Sequence, residues 1–382
     1  NALASGEITL LQGTRKLQSI AKASVIGSFL GLIFAVPLYS YLNLKGIIPG
    51  IVLASLTTFI INRHYSKKIP LEKSSITLSE TFTEGRQMAK LGLALMSAQV
   101  IGTVATYLVN IFISQRGGIT DVGLFQSGIM ITNYSLGLIF TSMGMDYFPK
   151  LSAVSNDVER LTGMVNQQCV LVTLIMTPLL IILIVFAPLL IRILLSEQFL
   201  AAIPLVQWIA LGMILKGTSY ALGYISFAKG DKKTFFWLEG VYGNCQTLVL
   251  NITGYTIWGI RGLGISFLAG YLLYLFVLTA VVYKKYRFRF SREFHFIYGI
   301  QVLFCVLAFG IAHVLQDPVY SYASGLLLLG LAVSYSFFEL DKRIDIRKMI
   351  REKLRKKDPP MSKQVKAETT ARAGSKKLYK TI

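Results

Sequence analysis

Three observations predict an all-α, polytopic membrane protein. The chain is 53% hydrophobic and only 15% charged, where a soluble domain carries roughly a quarter charged residues. Ten apolar runs follow one another along its 382 residues, each near the ~20 residues that cross a bilayer as a helix. The connections between them alternate between strongly basic and nearly uncharged.

The runs cover residues 23–42, 46–62, 89–113, 122–148, 169–195, 203–228, 235–257, 262–283, 296–315 and 320–338. None shows barrel alternation, and backbone in hydrocarbon must satisfy its own hydrogen bonds, so each reads as a helix. Run 122–148 is the most polar, rich in Ser, Thr, Asn and Gly. Loops on one side hold 19 Lys and Arg, and those on the other hold 4, among them Lys45, Arg116, Arg192 and Arg261. The positive-inside rule places the basic side in the cytoplasm, and the C-terminus with it. Residues 341–382 form a basic tail with 15 Lys and Arg from Lys342 onward. Ile346, Met349, Ile350 and Leu354 recur there at helical spacing, which predicts a short helix on anionic headgroups. Beyond Pro359 and Pro360 the composition predicts disorder.

A net charge of +20 would suit nucleic acid, but the cations sit between apolar runs and read as membrane flanks, so no nucleic-acid partner is expected. Cys169, Cys245 and Cys305 lie inside apolar runs and read as packing residues, not a disulfide framework. His64, His295 and His313 lack ligand spacing, so no metal site is expected, and no cofactor either. The longest loop, 63–89, is too short for a soluble enzyme domain.

The run Ile203–Ala228 carries one charge, Lys216, near its middle. A charge at bilayer depth costs ~3 kcal/mol unless it faces protein or water. Lys216 shares a helix face with Gly212, Met213, Tyr220, Gly223 and Tyr224, a polar and aromatic face suited to a wet cavity. Its other readings are a pair with a carboxylate or snorkelling, and a lysine stem is short for the ~20 Å of helix on either side. Glu239 lies a few residues into its helix, and Asp146 precedes Phe148 and Pro149 at a helix end. Each is a candidate for a coupling proton or cation. The plainer readings are a helix-end salt bridge from Glu239 to Lys232 or Lys233, and an interfacial charge for Asp146. Pro178 and Pro188 mark run 169–195 for a kink and a gating role. Gly27 and Gly31 offer a close helix contact.

The chain also repeats itself. Gly13, Arg15 and Lys16 in QGTRKLQSIAK match Gly230, Lys232 and Lys233 in KGDKKTFFWLE, and Lys45-Gly46 matches Arg261-Gly262. Six runs separate the copies, which makes this a parallel repeat about an axis along the membrane normal. Residues 1–11 then align with 218–228, inside a helix. The expectation is roughly 100–130 further N-terminal residues, giving fourteen helices with ten of them here. On this division, 1–88 is the remnant of an N-terminal lobe and 89–290 a six-helix C-terminal lobe. Residues 291–340 add two transmembrane helices, and 341–382 is the tail.

The segments GTRKLQSIAKASVIGSFLGLIFAVPLYS, VGLFQSGIMITNYSLGLIFTSMGMDYFPKLSAV and LLSEQFLAAIPLVQWIALGMILKGTSYALGYISFAKGDKKTFFWLE resemble the Wzx flippases. These belong to the multidrug/oligosaccharidyl-lipid/polysaccharide exporter superfamily, and O-antigen and lipid III translocases look most similar. The resemblance spans about residues 10–285. It implies two pseudo-twofold helical lobes around a central cavity, working by alternating access. The implied cargo is an undecaprenyl-pyrophosphate-linked oligosaccharide, O-antigen-like or another surface polysaccharide unit, carried from the cytoplasmic to the periplasmic leaflet of the bacterial inner membrane. Polysaccharide polymerase and chain-length machinery are the implied protein partners, beside membrane lipids. On this reading Lys216 meets the pyrophosphate or glycan acids, and Arg116 and Arg192 receive it at the periplasmic ends. Arg15, Lys16, Lys232 and Lys233 gather it from the cytoplasm, while Tyr134, Tyr220, Tyr224 and Tyr242 offer rings for sugars. The plainer readings are interfacial snorkelling for Arg116 and Arg192, topology alone for the four basic turn residues, and packing for the tyrosines. A drug or cation antiporter of the same superfamily is the alternative function. A membrane glycan polymerase or ligase would need the large periplasmic loop this sequence lacks.

Overall fold

A computed structural model of the protein describes residues 2–14, 17–69, 78–315 and 317–344. The basic tail from residue 345, with its expected surface helix, lies outside the described residues. Helices make up almost all of the described chain, and eight of them are long and apolar enough to cross a membrane. Two of the eight are hairpins folded at a single glycine, which gives ten passes. The chain divides into two compact units, residues 1–87 and 88–382.

In the first unit, α1 (Ala2–Gly13), α2 (Leu17–Leu42) and α3 (Ile47–Ser66) pack together around a small core of Leu11, Ile20 and Ile69. The Ser66 hydroxyl donates to the Glu7 carboxylate, tying α3 to α1. Helices α2 and α3 meet at the expected small residues. A methyl group at Gly27 would lie 3.6 Å from Thr58 Oγ1, and one at Gly31 would lie 3.4 Å from Ala54 Cβ. Gly46 closes the tight turn between them, its Cα lying so near Leu38 that a Cβ would meet that carbonyl oxygen at 2.2 Å.

The second unit is built on α6 (Val158–Val185), a helix almost wholly apolar from Cys169 onward. Such a helix must be surrounded, and 67% of its most apolar window is buried. Around it stand α8 (Ile203–Ala228), α11 (Arg292–Val314) and α12 (Pro318–Ile344). Asp157 caps α6, accepting from the backbone N–H groups of Glu159 and Arg160. Thr173 and Thr177 donate their hydroxyls to carbonyls one turn back, and α6 passes Pro178 unbroken. The break falls between the two prolines, at Phe186, just ahead of Pro188. Pro188 opens the short α7 (Ala187–Leu194) in its first turn, where a missing N–H costs nothing. At the break the buried Gln207 of α8 donates to the Ile184 carbonyl at 3.0 Å, satisfying a helix-end acceptor.

The hairpins are α4 (Leu78–Ser142) and α10 (Gly243–Tyr286). They fold at Gly118 (φ 80, ψ −179) and Gly259 (φ 58, ψ −141), backbone conformations essentially confined to glycine. Gln126 Nε2 donates across the first hairpin to Asn110 Oδ1 at 3.0 Å. In the second, Ser266 Oγ donates to the Leu250 carbonyl and Gln246 Nε2 to the Gly270 carbonyl, each at 2.6 Å. Gly254 and Gly262 let its two arms touch backbone to backbone. Two π-helical segments complete the unit. Met143–Tyr147 joins α4 to α5 (Phe148–Ala153), and Phe236–Tyr242 joins α9 (Lys232–Phe235) to α10.

Candidate functional site

Helix α8 is central to the site. Lys216 stands at its midpoint with the ammonium enclosed by three rings. Nζ lies 5.4 Å from the Phe140 centroid and 5.8 Å from those of Phe267 and Tyr271. Each ring face attracts a cation by about 0.5–2 kcal/mol, more where water is excluded. The rings come from the second arms of both hairpins, so Lys216 is where α4, α8 and α10 converge. Gly212, one turn before it, makes room for Phe267: a methyl group there would meet the ring at 2.7 Å. Among the described residues no carboxylate forms an ion pair with Lys216.

Glu239 sits on the second π-helical segment, and such segments recur at functional sites. The Asn244 side chain donates to the Glu239 and Gly240 carbonyls at 3.1 and 2.8 Å, occupying acceptors that the widened turn exposes. The carboxylate fronts a pocket of about 170 Å³ lined by Asn244, Gln246, Asn251, Ser266, Tyr271 and Tyr274. The buried Tyr274 hydroxyl faces it, though without a hydrogen bond of ordinary geometry. On the other side α8 offers Gly223. Tyr271 belongs both to this pocket and to the Lys216 cage, so the two charges share one site. An apolar compartment adjoins it, lined by Val109, Phe125, Ile129 and Leu263 and sharing Asn244, Thr247, Asn251 and Phe267 with the polar one. The whole is polar at one end and greasy at the other.

Tyr220 and Tyr224 extend the site along α8. Their hydroxyls are 3.4 Å apart, and their rings meet edge to face at 5.2 Å. Tyr220 packs edge-on against Phe140 and Tyr224 edge-on against Tyr147, while the Phe148 ring lies tilted against Tyr224. Tyr242 stacks on Tyr274, and Tyr134 stands exposed.

The remaining sequence candidates are elsewhere. Asp146 lies on the first π-helical segment and pairs with Lys150 at 2.6 Å, both side chains largely exposed. Arg116 is exposed beside the Gly118 turn, 5.7 Å from the Phe112 ring. Arg192 is exposed in the last turn of α7. Lys232 and Lys233 are exposed on α9 and make no ion pair with Glu239 among the described residues. The ion pair at that turn is Asp231 with Lys285, at 2.5 Å. Arg15 and Lys16 lie outside the described residues. The structure thus gathers Lys216, Tyr220, Tyr224 and Glu239. It adds Phe140, Phe267, Tyr271 and Tyr274, and the row Asn244, Thr247 and Asn251, none of which the sequence reading names as a site residue. That row has helical spacing on an apolar run, which is the signal that could have found it.

Fold and site together define a multi-pass α-helical membrane protein with a polar site enclosed among its helices. Residues 1–204, just over half the chain, match the family model described as polysaccharide biosynthesis protein, and the chain belongs to that family. Its fold is similar to that of the lipid II flippase MurJ in an inward closed conformation, with a TM-score of 0.63 and 16% identity, over 88% of this chain and 71% of that one. The sequence has no match among curated proteins.

Proposed function

We propose that the protein is a flippase that carries an undecaprenyl-pyrophosphate-linked oligosaccharide from the cytoplasmic to the periplasmic leaflet by alternating access. It acts as a transporter and not as an enzyme. The observation that carries this reading is the two-part site of the second unit, in a chain of the polysaccharide biosynthesis family. A cargo with a charged, hydroxyl-rich head and an isoprenoid tail needs polar and apolar surface side by side. The Lys216 ammonium is held by weak ring contacts and, among the described residues, pairs with no carboxylate. It is therefore available to a pyrophosphate, which would replace those contacts with charge-assisted hydrogen bonds. Tyr220 and Tyr224 offer ring faces to the glycan. Glu239 is the group that takes up the coupling proton or cation, because it lies in the same site and forms no ion pair among the described residues. The MurJ-like fold agrees with a lipid-linked cargo. The basic loops orient the carrier with its C-terminus in the cytoplasm.

The test is complementation of a flippase-null strain, scored by surface glycan, with protein level measured in parallel. Restored glycan is expected. Export of lipophilic cations without restored glycan would favour the antiporter reading instead.

A further inference from the structure

We propose that the crevice where α6, α11 and α12 end together binds the phosphate headgroup of an anionic membrane phospholipid. This site lies apart from the Lys216–Glu239 cleft and does not depend on the cargo. The crevice has a volume of about 640 Å³, ample for a phosphoglycerol group. Two arginines line it, Arg289 from the α10–α11 loop and Arg343 from the last turn of α12.

The loop is fixed so that Arg289 is held at the mouth. Arg287 ends α10 in the left-handed conformation (φ 58), and the buried Phe288 anchors the chain. The buried Asn166 of α6 then grips the backbone on both sides of Phe290. It donates to the Arg289 carbonyl at 3.0 Å and accepts from the Ser291 N–H at 2.8 Å. Ser291 caps α11. Arg289 gives one N–H to the Tyr283 hydroxyl at 3.1 Å and is otherwise exposed. A guanidinium has five donors in a fork that matches phosphate. Arg343 is already engaged, by Glu339 at 2.6 Å and by Glu293. Glu293 is mostly exposed, while Glu339 is mostly buried. An entering phosphate would displace Glu293 from Arg343 and leave the Glu339 pair intact.

The order of residues along α6 selects a lipid over a free anion. Thr162, Asn166 and Val170 follow one another at four-residue spacing on one face, from the helix end inward. Along α6 the lining thus passes from the polar Thr162 and Asn166 to the apolar Val170. That is the sequence of surfaces a headgroup and its first acyl methylenes present. Further cations at the same helix ends, Arg287, Arg292 and Lys342, add long-range attraction.

The test uses the full chain in an uncharged detergent, with retained phospholipid counted by native mass spectrometry. Phosphatidylglycerol should be held over phosphatidylcholine, and Arg289→Gln should lower that preference about fivefold. Its backbone contacts to Asn166 remain. Glu293→Gln should raise the preference, because it removes the carboxylate competing for Arg343. Lys284→Gln, an exposed lysine outside the crevice, should leave it unchanged. Equal retention of the two lipids would overturn the proposal. So would an equal loss with Lys284→Gln, which means diffuse charge, or displacement by inorganic phosphate, which means a free-anion site.

Discussion

Gly223 has no side chain where the Glu239 carboxylate lies: a methyl group on Gly223 would meet Glu239 Oε1 at 2.6 Å. The atom in the way is the end of a flexible side chain, so Gly223→Ala should fold and accumulate. It should push the carboxylate out of its position between α8 and the second π-helical segment. Surface glycan in the complementation assay should then fall on the order of tenfold, since a displaced functional group disables a site that is otherwise intact. Normal glycan with this variant would mean that the position of Glu239 is irrelevant to transport.

Lys216→Ala separates a cargo-binding lysine from a structural one. The change removes a charge that costs ~3 kcal/mol at bilayer depth, so the variant should insert and accumulate at parental level. Charge-assisted hydrogen bonds contribute about 1.5–3 kcal/mol, so translocation should drop by one to two orders of magnitude. Lys216→Arg keeps the charge but changes donor geometry, and should retain part of the activity. Undiminished glycan with Lys216→Ala would remove the lysine from the mechanism. Loss of the protein itself would show that the ring cage serves the fold.

Membrane orientation is open to labelling with an impermeant thiol reagent in intact cells, on a background lacking the exposed Cys245. Single cysteines replacing the exposed Lys67, Asn156 and Arg292 should be protected. Those replacing Lys45, Ile119 and Asp317 should react. The reverse pattern would invert the carrier, and labelling at all six would break the ten-pass arrangement.

Asp231 carries a pH-dependent share of stability. Partial burial alone would push its carboxyl up, but hydrogen bonds from Lys285, Tyr286 and Thr234 outweigh that and hold it well below the usual carboxylate range. It also caps α9, accepting from the Thr234 N–H at 3.2 Å. A group with a depressed folded pKa stabilises fully above its unfolded value of about 4 and loses that contribution as pH falls further. Asp231→Ala should therefore cost about 1–2 kcal/mol at neutral pH from the lost cap and the partly exposed pair. The thermal-melting gap between the parent and this variant should narrow below about pH 4. A gap that is constant with pH would assign the effect to packing alone.

Pass number and helix class are legible in the sequence because each helix had to supply its own apolar run. The two hairpin turns are less so. Arg116 and Arg261 mark their neighbourhoods, but helix continues to either side of one glycine in each, and only the φ angles of Gly118 and Gly259 reveal the fold-back. Of the two prolines that mark the run for a kink, Pro178 is tolerated within α6, and the break lies at Phe186, just ahead of Pro188, which serves as a start signal for α7. Lys216 is legible as the single charge in 26 residues. Its cage is not, because Phe140, Phe267 and Tyr271 reach it from other helices, and linear spacing does not encode that contact. Glu239 is legible as a charge near an apolar run, whereas its place in a π-helical segment beside Gly223 follows only from packing.

The two π-helical segments each hold one residue more than an α-helical turn needs, and both abut the same stretch of α8. Tyr147 of the first donates its hydroxyl to the Ala221 carbonyl at 3.1 Å, and Glu239 of the second lies against Gly223. An α-helix advances about 100° and 1.5 Å per residue. Absorbing the surplus residue of either segment would screw the adjoining helix by that amount against α8 without unwinding it. A surplus residue thus lies on each flank of the lysine-bearing helix, and the step it represents is one residue of helix, about 100° and 1.5 Å.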